Sequence, residues 1–162
     1  MKLSGEPDID LKYNEYLNSK AGGVMDIEAY FKKVYTVAYM LTGEEKIAEE
    51  IAELAITNTS EQLNADNKIS TSMLQLTILE LVKIFLKMPR SHSDDDNITS
   101  MQKALLALKP LTRAVVIWKD VLGFKLSGDT PVFDYTYEEL VVELVCGRRE
   151  LKEYVNLCNC GS

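Results

Sequence analysis

The chain has 162 residues, of which 46% are hydrophobic, and its 18 Lys and Arg residues against 25 Asp and Glu residues give a formal net charge of −7. This length can bury the core of one domain or of two small ones. No apolar run reaches the ~20 residues that cross a bilayer. Residues 1–10 have no apolar centre of the kind a secretory signal carries, so we expect a cytoplasmic protein.

Positive charge is not concentrated in any part of the chain. Residues 1–92 hold ten Lys and Arg against fourteen Asp and Glu, and residues 93–162 hold eight against eleven. A protein that binds nucleic acid through its phosphates usually concentrates cations on one element or face. The charge pattern therefore predicts weak affinity for duplex DNA.

The residues that could hold a metal or act as a nucleophile are few. The three cysteines, Cys146, Cys158 and Cys160, have no spacing typical of a disulfide framework, and His92 is the single histidine. A structural zinc site needs four ligands, and a catalytic triad needs a histidine beside its nucleophile. We expect no metal, no cofactor and no enzymatic activity.

The first elements in chain order are an arm and a helix. Residues 1–24 are polar and irregular, which is typical of an N-terminal arm. Asp26 is a good helix N-cap and Gly43 a good helix end, and they bound a predicted helix through Met40. One face of that helix is apolar: Ile27, Phe31, Val34, Ala38 and Leu41.

The second predicted helix is acidic on one side. Apolar residues repeat at helical spacing from Ile47 through about Leu63. The opposite side carries four glutamates: Glu45, Glu49, Glu50 and Glu53. This acidic face either contacts a partner or is simply solvated.

The third predicted helix, residues 71–88, is apolar nearly all round and ends at Pro89. A helix of this kind is usually buried on every side. We expect the other half of the chain, the arm or a second copy to cover it. Lys83, Lys87 and Arg90 form a stripe at spacings of four and three, which could contact phosphates or could be cations extended from an apolar helix end.

Residues 89–99 are polar and predict a linker between two domains, residues 25–88 and 100–162. Thr99 or Ser100 is expected to cap the next helix, and Pro110 to begin the one after it. Gly123 is expected to end that helix. Residues 126–135 predict a loop or short hairpin.

The last part of the chain begins with a capping box, Thr136 and Glu139. A helix is predicted up to Cys146, then a break at Gly147, then a short helix from Arg148 to Leu157 that begins with basic residues. Trp118, in the preceding apolar helix, is expected in the core.

This order of helices resembles the promoter-reading C-terminal domain, region 4, of small (extracytoplasmic-function type) sigma-70-family factors. The resemblance implies a helix-turn-helix whose reading helix begins near Arg148. Arg148, Arg149 and Lys152 would then contact DNA, with Glu150 and Glu153 opposing them. The alternative is an ordinary solvated helix.

The N-terminal half resembles region 2 of the same factors. Residues 39–43 end in a Leu-Thr-Gly turn, residues 48–54 match the acidic helix that follows it, and residues 73–87 match the third helix. The resemblance implies that the acidic helix binds RNA polymerase core through Glu45, Glu49, Glu50 and Glu53.

The departures from the family pattern lie at the positions that contact DNA and polymerase. A Gln-Glu pair central to polymerase binding is Glu53-Leu54 here, and the Trp that opens the third helix is Met73. The Arg and Asn residues of that helix are largely replaced, which leaves Lys83, Lys87 and Arg90 as its cations.

The sequence thus predicts an all-α protein of two small helical domains, a region 2-like three-helix unit and a region 4-like helix-turn-helix. Its function is expected to be that of a sigma-like factor that binds RNA polymerase core and contributes to promoter recognition. The alternative is a sigma-derived interaction or co-regulator protein that has lost autonomous promoter binding, and an unrelated helical protein is the third possibility. Expected partners are polymerase core, promoter DNA (weakly alone), an anti-sigma or co-regulator protein, and a second copy bound through helix 71–88.

Overall fold

The computed structural model describes residues 24–62, 68–88, 98–126 and 132–160. Within them the chain forms six α-helices and one two-stranded sheet, so the predicted all-α class is confirmed. None of these helices is long and apolar enough to cross a membrane. The elements are β1 (Val24–Asp26), α1 (Ile27–Thr42), α2 (Glu45–Thr59), β2 (Lys68–Ser70), α3 (Thr71–Leu86), α4 (Ser100–Ala107), α5 (Pro110–Val116) and α6 (Tyr137–Cys160).

The predicted bounds of α1 are confirmed by its caps. The Asp26 carboxylate accepts a hydrogen bond from the backbone N–H of Ala29 at 2.8 Å. Gly43 ends the helix in the left-handed conformation, with φ of 74°, and its N–H donates to the carbonyl of Tyr39. The predicted apolar face is buried at Val34, Ala38 and Leu41 but was wrong at Phe31, which is 42% exposed beside the fully buried Tyr30.

Helices α1, α2 and α3 pack against one another and share a buried polar link. The hydroxyl groups of Tyr30 in α1 and Thr77 in α3 lie 2.6 Å apart, and those of Thr77 and Thr59 in α2 lie 3.1 Å apart. Each threonine hydroxyl also donates to a carbonyl of its own helix, Thr59 to Ala55 and Thr77 to Met73. The link satisfies three buried hydroxyl groups and fixes the relative position of three helices.

Tyr30→Phe is expected to lower the free energy of unfolding by about 1 kcal/mol, because one buried hydrogen bond is lost while both threonines keep their other partners. Urea denaturation checks this. Tyr137→Phe, at a tyrosine that is 42% exposed, is the control and should leave the stability unchanged. Equal stability of the Tyr30→Phe and wild-type proteins would contradict the role of the link.

A short antiparallel pairing of β1 with β2 precedes α1 and α3. Its central pair, Met25 and Ile69, is buried, whereas the pairs on either side are exposed or half-buried. Ser70, the last residue of β2, caps α3 by accepting a hydrogen bond from the N–H of Met73 at 3.1 Å. The sheet therefore sets the starting points of two core helices.

The apolar surface of α3 is mostly covered, as the sequence predicted it must be. Phe85 is 9% exposed and lies under the guanidinium group of Arg113 in α5, 5.5 Å from the ring centroid. Leu79 and Leu86 are partly buried against the core. The prediction was wrong at Leu76, which was expected to be covered and is 42% exposed.

The predicted signals of the C-terminal half also match the structure. The Thr99 hydroxyl accepts from the N–H of Gln102 at 3.1 Å and caps α4, and Pro110 is the first residue of α5. α5 continues into one π-helical turn, Ile117–Val121, before Gly123 at φ of 72°. Trp118 is in the core, as predicted, at 2% exposure.

The two halves of the chain are in contact through α1, α3, α4 and α5. Their buried hydrophobic residues form one continuous cluster. Gly43 lies so close to α4 that a Cβ atom there would be 2.7 Å from Cδ1 of Leu106. The division into domains 25–88 and 100–162 stays a prediction. The arm, residues 1–24, and the linker, residues 89–99, lie outside the described residues except at Val24 and at positions 98–99.

Arg113 is a buried residue that joins these halves. It is 8% exposed, and its guanidinium group donates to the carbonyls of Leu41, Leu105, Leu106 and Leu108. Those carbonyls lie at the C-terminal ends of α1 and α4, where a helix leaves carbonyl groups without intrahelical partners and carries partial negative charge. Arg113 therefore caps two helices at once.

The largest difference from the sequence prediction is in α6. Its capping box is confirmed, since the N–H of Glu139 donates to the Thr136 hydroxyl at 3.3 Å and the N–H of Thr136 donates to the Glu139 carboxylate at 3.2 Å. The predicted break at Gly147 is wrong, because one helix runs from Tyr137 to Cys160.

Candidate functional site

The glycine in the middle of α6 serves a close helix crossing. A Cβ atom on Gly147 would lie 2.6 Å from Cγ2 of Val116 and 2.8 Å from Cγ2 of Thr112, both in α5. Thr112 also donates a hydrogen bond of 2.5 Å to the Glu143 carboxylate, one turn before the glycine. α5 and α6 thus approach so closely that only glycine fits, and the helix continues through it.

This crossing corrects the predicted helix-turn-helix. A separate reading helix beginning near Arg148 requires a turn just before it, and residues 137–160 contain none. Gly147 is not among the glycines with positive φ in the described residues, which are Gly43 and Gly123. The glycine signal that sequence reasoning interpreted as a turn is a packing signal.

The Arg148 side chain forms an ion pair with Asp120. Its guanidinium group donates twice to the Asp120 carboxylate, at 2.9 Å from Nε and 2.5 Å from an η nitrogen. The hydrogen bond to Asp120 raises the pKa of Arg148 above its ordinary value. The side chain is 52% exposed, yet the planar fork that would read a guanine edge or a phosphate is directed at Asp120.

The other two predicted cations of α6 share their surface with acids. Arg149 and Lys152 are exposed, and so are Glu150 and Glu153. Two positive and two negative side chains on one short stretch give no net charge to attract a phosphate backbone. DNA binding by Arg148, Arg149 and Lys152 stays a prediction.

The predicted phosphate stripe of the third helix is described only in part. Lys83 lies in the last turn of α3 and is half-buried, and Lys87 is the exposed C-cap. Arg90 lies outside the described residues. Lys83 and Lys87 sit where cations favour the negative end of a helix dipole, which is a sufficient structural reason for them.

The acidic face of α2 is presented to solvent in full. Its four glutamates, Glu45, Glu49, Glu50 and Glu53, are all exposed. The opposite face of the helix is buried through Ala48, Ile51, Ala52, Ala55 and Thr59. Leu54, beside the last glutamate, is 48% exposed.

Tyr35 of α1 borders this acidic face. Burial raises the pKa of Tyr35, and the negative charges of Glu45 and Glu49 raise it further. Glu45 and Glu49 therefore lie close enough to Tyr35 for their charges to act on it. Of the predicted site residues, these four are the set that the fold brings together on one accessible face.

The described residues contain no group of three or more His, Cys, Asp or Glu residues placed to hold a metal ion. Cys146 is a free, half-buried thiol. The side chains of Cys158 and Cys160, and the whole of His92, lie outside the described residues.

Sequence reasoning missed Asp120, the partner that holds Arg148. It lies 28 residues away along the chain, in the π-helical turn, and no local spacing signals the pair. The sequence indicates only that Asp120 is a charged residue following an apolar helix, and this does not predict its pairing with Arg148.

No family model matches the chain, and no curated protein or solved structure matches it significantly.

Proposed function

We propose that the chain is a cytoplasmic, sigma-derived interaction protein that docks on RNA polymerase core through the acidic face of α2 and does not read promoter DNA by itself. The observation that carries the proposal is the full exposure of Glu45, Glu49, Glu50 and Glu53 on one face of a well-packed helix. The resemblance to region 2 of small sigma factors supplies the partner.

Rigid presentation supports docking by α2. The helix is fixed on its buried side by the core and by the Tyr30–Thr77–Thr59 link, so little conformational entropy is lost when its acidic face meets a partner. A basic surface would be attracted over several ångströms, which raises the association rate more than the affinity.

The C-terminal half of the structure favours the co-regulator alternative over promoter reading. Arg148 is paired with Asp120, Arg149 and Lys152 lie beside two glutamates, and α6 has no turn at Gly147. A reading helix must enter the major groove with its base-contacting side chains free. Under the same proposal, an anti-sigma or co-regulator protein is a further partner.

The first experiment measures binding of the full chain to purified RNA polymerase core. Reversing Glu49 and Glu53 together to lysine is expected to weaken binding by about tenfold or more, mainly through a slower association rate. The control is Glu28→Lys, which reverses one exposed first-turn glutamate of α1 and should leave binding unchanged. No binding of the wild-type chain to core would refute the proposal.

A second measurement separates this function from promoter reading. The isolated chain should bind duplex DNA weakly, with a log–log salt slope no steeper than about −3, as three phosphate contacts would give. Reversing Glu150 and Glu153 to lysine should raise that affinity. Tight, steeply salt-dependent binding that Arg149→Ala abolishes would instead identify α6 as a reading helix.

A further inference from the structure

The outward face of α6 is apolar at its centre and is not covered by the other described residues. Val142 and Val145 are 58% and 51% exposed, and Val141 and Cys146 lie half-buried beside them. The helix is held to the protein by its opposite face, where Leu140, Leu144 and Gly147 are buried. Tyr137, Val155 and Leu157 of the same helix are exposed as well. Val142 and Val145 are neighbours one turn apart, however, and an exposed apolar patch of this kind is typical of a protein interface.

The exposed residues of this face follow the spacing of a helix–helix seam. Glu138, Val142, Val145 and Arg149 are separated by four, three and four residues, and all four are exposed. Alternating spacings of four and three residues keep one line of side chains facing a second helix. We call these four residues the outer seam.

The charges of the outer seam are arranged to match a reversed copy of itself. An acid lies at one end, a base at the other, and the midpoint falls between the two valines. In an antiparallel pair related by a two-fold axis through that midpoint, Val142 faces Val145 of the second copy. Glu138 then meets Arg149 of the second copy, and the same contact forms again at the other end, as a two-fold interface requires.

Other arrangements of two copies do not give this match. A parallel, in-register pair would place glutamate against glutamate at one end and arginine against arginine at the other, which is unfavourable. Val141 and Cys146 exchange places under the same two-fold axis, so the apolar centre widens to four half-buried or exposed positions on each copy. The complementarity thus selects both the partner and its orientation.

We propose that the chain forms a homodimer through the outer seam of α6, with the two helices antiparallel. The proposal is independent of polymerase docking by α2, and it gives Arg149 a protein partner in place of DNA. At a rise of 1.5 Å per residue the 24-residue helix is about 36 Å long, which is ample for the seam. Because its apolar centre is small, the dimer is expected to be weak and to form only at high protein concentration.

The test is a charge exchange followed by sedimentation equilibrium of the full chain. The wild type is expected to approach twice its mass of 18.3 kDa as the concentration rises. E138R brings two arginines together at each end of the pair, and R149E brings two glutamates together. Each variant alone is expected to lose at least about tenfold in dimer affinity.

The decisive sample is an equimolar mixture of E138R and R149E. In a mixed antiparallel pair both ends again join opposite charges, so dimerisation is expected to return, as it is for the double variant E138R/R149E alone. V142D places a charge in the apolar centre and should give a monomer in every combination.

The control is E28R, which removes an exposed first-turn glutamate from α1 just as E138R removes one from α6. It should dimerise like the wild type, and circular dichroism of all variants confirms that the helices are retained. A wild type that stays monomeric at the highest soluble concentration would overturn the proposal. So would a mixture that dimerises no better than its two components.

Discussion

Arg113→Ala is expected to lower the free energy of unfolding by about 3–5 kcal/mol. The change removes the donors for four carbonyls at the ends of α1 and α4. It also takes the cation from the face of the Phe85 ring and leaves a cavity between the two halves. Denaturant unfolding followed by circular dichroism measures the loss.

Two comparisons show whether capping or charge is responsible. Arg113→Lys keeps the charge but replaces a planar fork by a single ammonium group, so we expect it to recover less than half of the loss. Lys103→Ala removes an exposed cation from α4 and should change the stability by less than about 0.5 kcal/mol. A lysine variant as stable as the wild type would mean that the four carbonyls do not need the guanidinium geometry.

The helix ends of this fold could be predicted from the sequence because they depend on local chemistry. Asp26, Thr99 and the Thr136–Glu139 box each satisfy a backbone N–H within three residues. The sequence predicted the first and the last, and placed the other cap at Thr99 or Ser100. Gly43 ends α1 for an equally local reason, its positive φ. The placement of the acidic face of α2 followed from helical periodicity in the same way.

The features that the sequence did not predict depend on contacts between distant residues. In the sequence Arg113 is a single cation in an apolar helix. It caps α1 and α4 because the fold places the last carbonyl groups of both helices beside its guanidinium group. The β1–β2 pairing joins segments whose strands are three residues long, too short to show an alternating pattern. Phe31 and Tyr30 are neighbouring aromatic residues, and the sequence does not show which of them is buried. Tyr30 is the one that shares a hydrogen bond with Thr77 across the core.

Gly147 shows how one signal can carry two physical meanings. Glycine is favoured where the backbone needs a positive φ, and also where two backbones approach closely. The sequence alone does not distinguish these, and a helix ending at Cys146 with a basic stretch after it is typical of a turn. The structure shows that Gly147 serves close packing, because the β-branched side chains of Thr112 and Val116 lie against it. These residues are 35 and 31 positions earlier in the chain.

Gly147→Leu is therefore expected to destabilise the protein by about 3 kcal/mol, because the new side chain must enter space that stiff, buried side chains of α5 already fill. Asn156→Leu, exposed on the same helix, should change the stability by less than about 0.5 kcal/mol. Denaturant unfolding of both variants, at a concentration where the chain is monomeric, gives the comparison.

A double-mutant cycle with alanine distinguishes packing from a turn. Gly147→Ala gains about 1 kcal/mol of helix propensity but meets Cγ2 of Val116 at 2.6 Å, so a net loss is expected. Val116→Ala removes that methyl group, and the two changes together should cost about 1 kcal/mol less than the sum of their separate effects. If Gly147 instead lay in a turn of a helix-turn-helix, its cost would come from its own φ and the two effects would simply add. Additive losses would thus contradict the close-packing role of Gly147.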